Sequence, residues 1–517
     1  MQYVRIKRIG IASSLSLSCL LSFQNEAWAI NWNVRRTFSF QELYSDNINL
    51  APSGSEKGAF VTEISPGISL RGQTARYRLN LNYTLQGIYN AGGNSGINVN
   101  NQLQFNSKTS IIPNRLFLDS TSSISQQNIN NTQLGTDNFS GNNNSTTITT
   151  FHFSPYWTPH FSYYANGNVR VTYDRVGSGN DQLSDTNSYS QNVSLTSGRY
   201  FSKLNWSASF NNRTNQNSDG QDISFQNSSL YLRYNLNRKF GLTAQAGHSS
   251  NDFQTTTDTN QNGFFYTFGA QWRPSRRLSV SAGWGNNLFV TVSLSPFQRL
   301  HWTTTYRNND IGTNTGDVWQ TNLRYNTRRS VWSLTYNEDT TTTQQVLLER
   351  QFFFIQDPEN PNLLIRDPQT NLPILFFQDI PTLTNDVFVR KRGDLTYSFR
   401  TGKSTLSATA FTERRTFQIT QNQDDVYGIT GSWSWRHSPR LNTLLRSSWQ
   451  NTDTNAVIGS VTSPVSSQFF DVSLRVQRNI ARNISGNIEY RYLSQSSDNS
   501  ALDYDENRIS IGLTGRF

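Results

Sequence analysis

The sequence predicts an all-β protein: a single large antiparallel transmembrane β-barrel of about 24 strands, within a range of about 20–26, behind an N-terminal signal peptide. Three observations predict it. The chain is rich in aromatic residues but poor in aliphatic ones, its hydrophobicity alternates with a period of two, and its connections alternate between short basic turns and longer polar loops.

Composition comes first because it removes the simpler alternatives. The 517 residues are only 35% hydrophobic but 13% aromatic, with 12 Trp, 22 Tyr and 32 Phe. Disordered chains lack aromatics, and large soluble domains carry more aliphatic core. A membrane barrel needs apolar side chains on one face of each strand only, with aromatic girdles at both interfaces, so a negative mean hydropathy is compatible with it.

The amino terminus reads as a secretory signal over residues 1–29. Arg5, Lys7 and Arg8 precede an apolar run over 9–23, and Ala27-Trp28-Ala29 gives a small-x-small site for cleavage before Ile30. The run is too short and serine-rich for an anchor helix. The sole cysteine, Cys19, falls inside it; a lipid-attachment site calls for leucine three places upstream, where Ser16 stands. The mature chain, 30–517, then has no disulfide, thiol nucleophile or cysteine metal ligand. No later segment has the apolar length of a transmembrane helix, so insertion falls to strands.

Over residues 76–89, Tyr77, Leu79, Leu81, Tyr83, Leu85 and Tyr89 share one face, and Arg76, Arg78, Asn80, Asn82, Thr84 and Gln86 the other. The same division recurs at Phe264, Tyr266, Phe268, Ala270 and Trp272, at Ile429, Trp433 and Trp435, at Phe470, Val472, Leu474 and Val476, and at Ile484, Ile488, Tyr490 and Tyr492. Segments of roughly 9 to 13 residues suit a tilted strand crossing a bilayer. Short turns are predicted at 71–76, 113–115, 158–160, 197–203, 237–239, 274–277, 295–299, 327–330, 401–404, 438–440 and 479–483. Longer loops rich in Asn, Gly, Ser and Asp lie between them, at 128–145, 174–187, 309–317 and 495–506. Short periplasmic turns alternating with long outer loops are the asymmetry of an outer-membrane barrel, and they set the strand count. A soluble solenoid or propeller needs a repeat of fixed length, and none is present.

At the carboxyl end Ile509, Ile511, Leu513, Gly515 and Phe517 alternate with polar or small residues. Ser510, Gly512 and the terminal Phe517 resemble the β-signal read by the outer-membrane assembly machinery; Gly515 departs from it, since a bulky residue is usual there. Further stretches resemble an uncharacterised family of outer-membrane barrels associated with exosortase (PEP-CTERM) and exopolysaccharide systems. They are Tyr44-Ser45-Asp46-Asn47-Ile48-Asn49-Leu50-Ala51-Pro52, Phe60-Val61-Thr62-Glu63-Ile64-Ser65-Pro66-Gly67-Ile68, Leu116-Phe117-Leu118-Asp119 leading to Ser125-Gln126-Gln127-Asn128-Ile129, and Pro381-Thr382-Leu383-Thr384-Asn385-Asp386-Val387-Phe388-Val389. The resemblance runs from about residue 33 to the end; it implies the outer membrane and a setting of surface-polymer secretion, and supplies no functional residues.

One connection breaks the pattern. Residues 340–386 are apolar at 352–355, 363–365 and 374–377 and interrupted by Pro358, Pro368 and Pro381. Either it packs on itself above the barrel or it folds inward as a constriction; proline excludes it as a strand pair in the membrane. Parity places Arg76, Arg78, Arg233, Arg446, Arg475, Arg491 and Arg516 on the lumen face, with fewer acids such as Asp471 and Glu489. Guanidinium groups there attract an anionic polymer, or brace the wall as cross-strand ion pairs. The net charge of +10 is dispersed over turns and strands, which argues against nucleic acid. His152, His160, His248, His301 and His437 lack metal-ligand spacing, and no nucleophile stands out among the many hydroxyls. Asp503, Asp505 and Glu506 form a loop cluster that reads as solvated charge rather than a cation site. No catalytic, cofactor or metal site is expected. The expected partners are outer-membrane lipid and lipopolysaccharide, the assembly machinery and an anionic polysaccharide. Function divides between a pore for export of a surface polysaccharide and a non-conducting scaffold or adhesin that binds polymer through its loops.

Overall fold

The computed structural model describes residues 31–92, 96–130, 134–141, 144–180, 183–253, 262–350, 383–458 and 461–517. The expected signal peptide and the apolar pieces of the long connection lie outside them. The chain forms β1 (Asn31–Ser45), β2 (Ala59–Gln73), β3 (Tyr77–Asn90), β4 (Gly96–Ile112), β5 (Leu116–Asn128), β6 (Ser145–Trp157), β7 (His160–Phe161), β8 (Ala165–Ser178) and β9 (Thr186–Ser197). It continues through β10 (Leu204–Asn217), β11 (Ile223–Asn235), β12 (Phe240–Asp252), β13 (Gly263–Ser275), β14 (Leu278–Gly285), β15 (Asn287–Leu294), β16 (Leu300–Asn309), β17 (Gly316–Asn326) and β18 (Ser330–Thr342). A helix, α1 (Thr343–Arg350), precedes β19 (Val387–Arg400), β20 (Ser404–Phe417), β21 (Gln423–Ser438), β22 (Leu441–Ile458), β23 (Val461–Asn479), β24 (Ile484–Ser497) and β25 (Tyr504–Arg516).

Apart from β7, every strand pairs antiparallel with the next, and β1 pairs with β25 from Thr37↔Arg516 to Ser45↔Arg508. The two-residue β7 lies on β8 beside the end of β6, so the 25 segments make a closed barrel of 24 staves. Closure leaves no open edge, the condition for backbone amides to sit in hydrocarbon. The seam runs to the last residue: Arg36 N–H donates to the Phe517 carbonyl at 2.9 Å, and Phe517 N–H to the Arg36 carbonyl at 2.8 Å. The departure at Gly515 has a steric reason here. A Cβ on Gly515 would stand 3.0 Å from the Phe517 ring, which folds back over that position.

The short connections fall between consecutive strands at one end of the barrel, as predicted. At 158–160 the chain first pairs as β7 and turns two residues later, where Ser162 takes a φ of 52°. At 113–115 Asn114 takes a φ of 59°, a left-handed conformation that asparagine tolerates. The strands run longer than predicted in places, and the opposite rim is uneven. β23 has 19 residues, whereas β14 and β15 have 8 each and are joined through Asn286 alone.

The burial pattern follows the period-two alternation. In β25 Tyr504, Glu506, Arg508, Ser510, Gly512 and Thr514 face inward and are covered, while Ile509, Ile511 and Leu513 face outward and are exposed. Phe38, Phe40, Phe60, Ile64, Tyr266, Phe268, Trp319, Ile429, Trp433, Leu474 and Ile488 continue this outward row around the ring. A closed barrel with such an apolar band is a protein of the outer membrane. A test uses consecutive residues of β17, lying between the outward Trp319 and Tyr325. Leu323→Arg puts a charge on the lipid face near the midplane and should destabilise the barrel by about 2–4 kcal/mol. Asn322→Arg, on the exposed inner face, should change stability by less than about 1 kcal/mol; denaturant unfolding in lipid vesicles measures both.

A capped mouth and a charged lumen

Apolar clusters sit just inside the loop end and exist because loops fold inward to make them. Ile48, from the first loop, packs with Leu43, Ala59, Val61, Ile88 and Phe139, and Leu50 with Leu134, Phe469, Leu493 and Tyr504. The segment 134–141 is fastened by polar bonds to strands remote in sequence. Leu134 N–H donates to Gln495 Oε1 at 3.0 Å, Gly135 N–H to the Tyr504 hydroxyl at 2.9 Å, and Ser140 Oγ to Glu506 Oε1 at 2.7 Å.

Asp137 is the anchor of this segment. Its Oδ2 accepts from Arg508 Nη1 at 2.6 Å and from Arg491 Nη1 at 2.9 Å. Burial works against its charge, but Arg508 and Arg491 outweigh burial and hold the carboxyl below the ordinary carboxylate range. Arg491 is also bonded to both oxygens of Asp471, at 2.9 and 3.1 Å, and Arg508 to Glu506 at 2.7 Å.

The long connection folds inward as well. Thr340 to Thr342 still belong to β18, so the connection proper begins at α1. The helix-favouring run Gln344 to Arg350 starts where Thr342 Oγ1 accepts the Gln345 N–H at 3.2 Å, which caps its first turn. Val346 packs with Phe388 and Phe417, whereas Leu347 and Leu383 pack with Ile148, Val176 and Leu183. Phe388 and Phe417 stand on β19 and β20, whereas Ile148 and Val176 stand on β6 and β8 and Leu183 follows β8, nearly half the ring apart. The described part of the connection therefore bridges the mouth. Its return is stitched across it: Leu383 N–H donates to the Ile129 carbonyl at 2.9 Å, and Asn385 exchanges bonds of 2.9 and 2.7 Å with Ser184. Asp386 takes the amides of Ile419 and Thr420 at 3.1 Å.

The lumen arginines divide by depth. Toward the loop end they form acid-rich networks. Arg390 bonds both oxygens of Asp339 at 3.2 and 3.0 Å and reaches Glu349 of α1 at 3.4 Å. Arg392 bonds Asp394 at 2.7 Å and Glu413, and the fully buried Arg415 bonds Glu413 at 2.6 Å. Nearer the turns the inner face carries Arg78, Lys108, Arg170, Arg233, Arg324, Arg400 and Arg446, by strand register. Within five residues of the turns, the lumen-facing acids among the described residues are Asp119, 3.2 Å from Arg170, and Glu489, bonded to Arg475.

The predicted lumen residues are thus not one ring. Arg491 and Arg475 belong to ion pairs that brace the wall, with Asp471 and Glu489 on the neighbouring strands. Arg78, Arg233 and Arg446 lie in the basic zone, where Arg233 Nη1 donates to Gln271 Oε1 at 3.2 Å. Arg516 ends the closing strand opposite Thr37. Arg76 stands one residue before β3, exposed in the turn, its carbonyl accepting the Ser110 N–H at 2.7 Å. Of the predicted assembly signal, Ser510 and Gly512 face inward and Phe517 lies exposed at the seam. The histidines stay apart. His152 Nδ1 lies 2.5 Å from Asp174 Oδ1, His301 bonds Ser295 and His437 bonds Thr443. The loop acids also separate: Asp505 accepts from the outward Tyr492 hydroxyl, while Glu506 points inward to Arg508.

No family model matches the chain, and no curated protein matches it in sequence. Solved barrels do in fold. The siderophore receptor PirA from Pseudomonas aeruginosa is 11% identical, over 94% of this chain and 80% of that one, with a TM-score of 0.40. The FrpB iron transporter from Neisseria meningitidis is 11% identical, over 94% and 81%, with a TM-score of 0.48. At that identity the likeness is one of fold alone.

The Asp137 anchor sets a pH dependence. A carboxyl held below its free value of about 3.9 stabilises docking fully above that pH and loses the contribution only as pH falls through the lowered value. Segment 134–141 should stay protected from hydrogen exchange down to about pH 4 and open below it. Asp137→Asn should exchange faster already at neutral pH, read by mass spectrometry on the peptide containing Gly135.

Proposed function

We propose that this barrel is a gated outer-membrane passage for an anionic surface polysaccharide, taken up at the turn end and released past the capped mouth. The observation that carries the proposal is the order of features along the axis: a polar lumen with a basic zone at the turn end and loops tied across the other. Short turns face the periplasm in barrels of this kind, so the basic zone meets material arriving from inside the cell. Clustered guanidinium and ammonium groups between low-dielectric walls concentrate polyanions. A closed ring of 24 staves is roughly 45 to 50 Å across, too wide for side chains to fill, so the loops are what close it. The sequence resemblance to barrels of exopolysaccharide systems points the same way.

The second reading is a non-conducting scaffold that holds polymer at the surface, favoured by the many bonds that stitch the mouth. Planar-bilayer recording separates the two. Thr342 pairs with Val387, so residues 343–386 can be replaced by an Asn-Gly turn with the strand ladder intact. That variant should conduct in larger steps than the full chain, with reversal potentials that favour anions. Arg233→Gln combined with Arg446→Gln should reduce the anion preference. Absence of current from both the full chain and the loop variant leaves the scaffold reading standing and removes the passage.

A further inference from the structure

One cavity of about 360 Å³ opens on the lumen wall, at the small end of the roughly 300–1,000 Å³ typical of small-ligand sites. It lies on the inner faces of β11 to β18, under residues 311–314. Its lining is rich in amides. Asn227, Gln245, Asn287, Asn309 and Gln320 supply amide groups from five different strands, and Arg307 is the one basic residue.

Arg307 differs from the arginines of the loop-end networks. Those are held by one or two carboxylates each, whereas Arg307, half-buried, donates Nη1 to Gln320 Oε1 at 2.7 Å and has no carboxylate partner among the described residues. The single acid on the lining, Glu338, is bonded elsewhere, to Lys391 at 3.2 Å and to the Tyr336 hydroxyl at 2.8 Å. A guanidinium in a partly dry cavity with only a neutral acceptor is poised for an anion, and its planar fork matches a carboxylate. Phe289 completes the site. A Cβ on Gly283 of the facing strand would stand 2.5 Å from the Phe289 ring, so the glycine lets the ring lie down over the wall. A ring in that position gives the C–H face of a pyranose an apolar surface, while neighbouring amides meet its hydroxyls.

We infer that this cavity binds one acidic sugar unit, a hexuronic acid, with its carboxylate on Arg307, its ring over Phe289 and its hydroxyls on the amides. The inference deepens the proposed passage for an anionic polysaccharide and rests on it: the cavity is a station on the lumen wall that grips one unit of the chain.

The test uses the full-length protein in detergent and titration calorimetry with galacturonate trimer, a neutral hexose trimer of the same length, galacturonic acid and inorganic phosphate. The acidic trimer should bind about ten-fold or more tightly than the neutral one, and Arg307→Gln should remove that difference without altering neutral binding. Arg307→Lys should recover part of it, since ammonium keeps the charge but not the fork. Phe289→Ala, which leaves every ionic group in place, should weaken both trimers alike. Monomer binding comparable with the trimer assigns the site to one unit. Equal affinity for the two trimers, unchanged acidic binding in Arg307→Gln, or phosphate competing as well as the trimer overturns the inference. Conductance of the loop variant without saccharide binding removes this site and keeps the passage; binding without conductance removes the passage.

Discussion

The closing ladder between the first strand and the last is the interaction on which the rest of the structure depends. In hydrocarbon an unpaired backbone amide costs several kcal/mol, so a sheet of this size is tolerable there only without edges. The pairing from Thr37↔Arg516 to Ser45↔Arg508, extended by the reciprocal bonds of Arg36 and Phe517, removes both edges at once. Closure also fixes the girth, and the girth creates the interior that the loops and the charged side chains must then manage. Phe517 serves the seam sterically as well as through its backbone, because its ring covers the glycine two residues before it.

Most of the fold was legible because a barrel is written in local signals. Alternation in stretches such as Tyr77 to Tyr89 names the two faces of a strand, and turns such as Pro113-Asn114-Arg115 name its ends. Stave number follows from counting them. The site was legible only in part. Parity assigns Arg491 and Arg475 an inward face, but nothing local could pair Arg508 with Asp137, which is 371 residues away and reaches it only because the barrel closes. The same holds for α1, whose short polar sequence gives no sign that Val346 and Leu347 meet opposite walls. Arg76 stands at the boundary itself, one residue before β3, where strand parity no longer fixes a face. Arg307 has no local signature, because its distinguishing property, a neutral Gln320 partner in place of a bonded carboxylate, depends on neighbours on other strands.

The lumen therefore uses one residue type for two physical tasks. Where Arg390, Arg415 and Arg508 stand, acids from adjacent strands and from inward loops neutralise them, and the cost of removing these charges from bulk water is offset by close ion pairs. Such pairs hold the cap in place but present no net attraction to a passing anion. Where Arg78, Arg233 and Arg446 stand, acids are sparse and the field persists into the lumen. The barrel thus separates its mechanical arginines from its electrostatic ones along the axis, with Arg307 belonging to the second kind among amides and beside a Glu338 already paired with Lys391.

The uneven rim has a consequence for the surrounding membrane. At about 3.4 Å per residue and a tilt near 40°, the 8-residue strands β14 and β15 rise only about 21 Å along the bilayer normal, less than the ~25 Å apolar band of such barrels. The 19 residues of β23 rise to about 50 Å and stand well clear of it. Lipid packed around this protein meets a wall too low on one flank and must thin there, at a cost of fractions of a kcal/mol per Å of mismatch. The pinch lies directly outside the wall that carries Arg307. The barrel thus acquires a distinguishable side in an otherwise isotropic membrane plane.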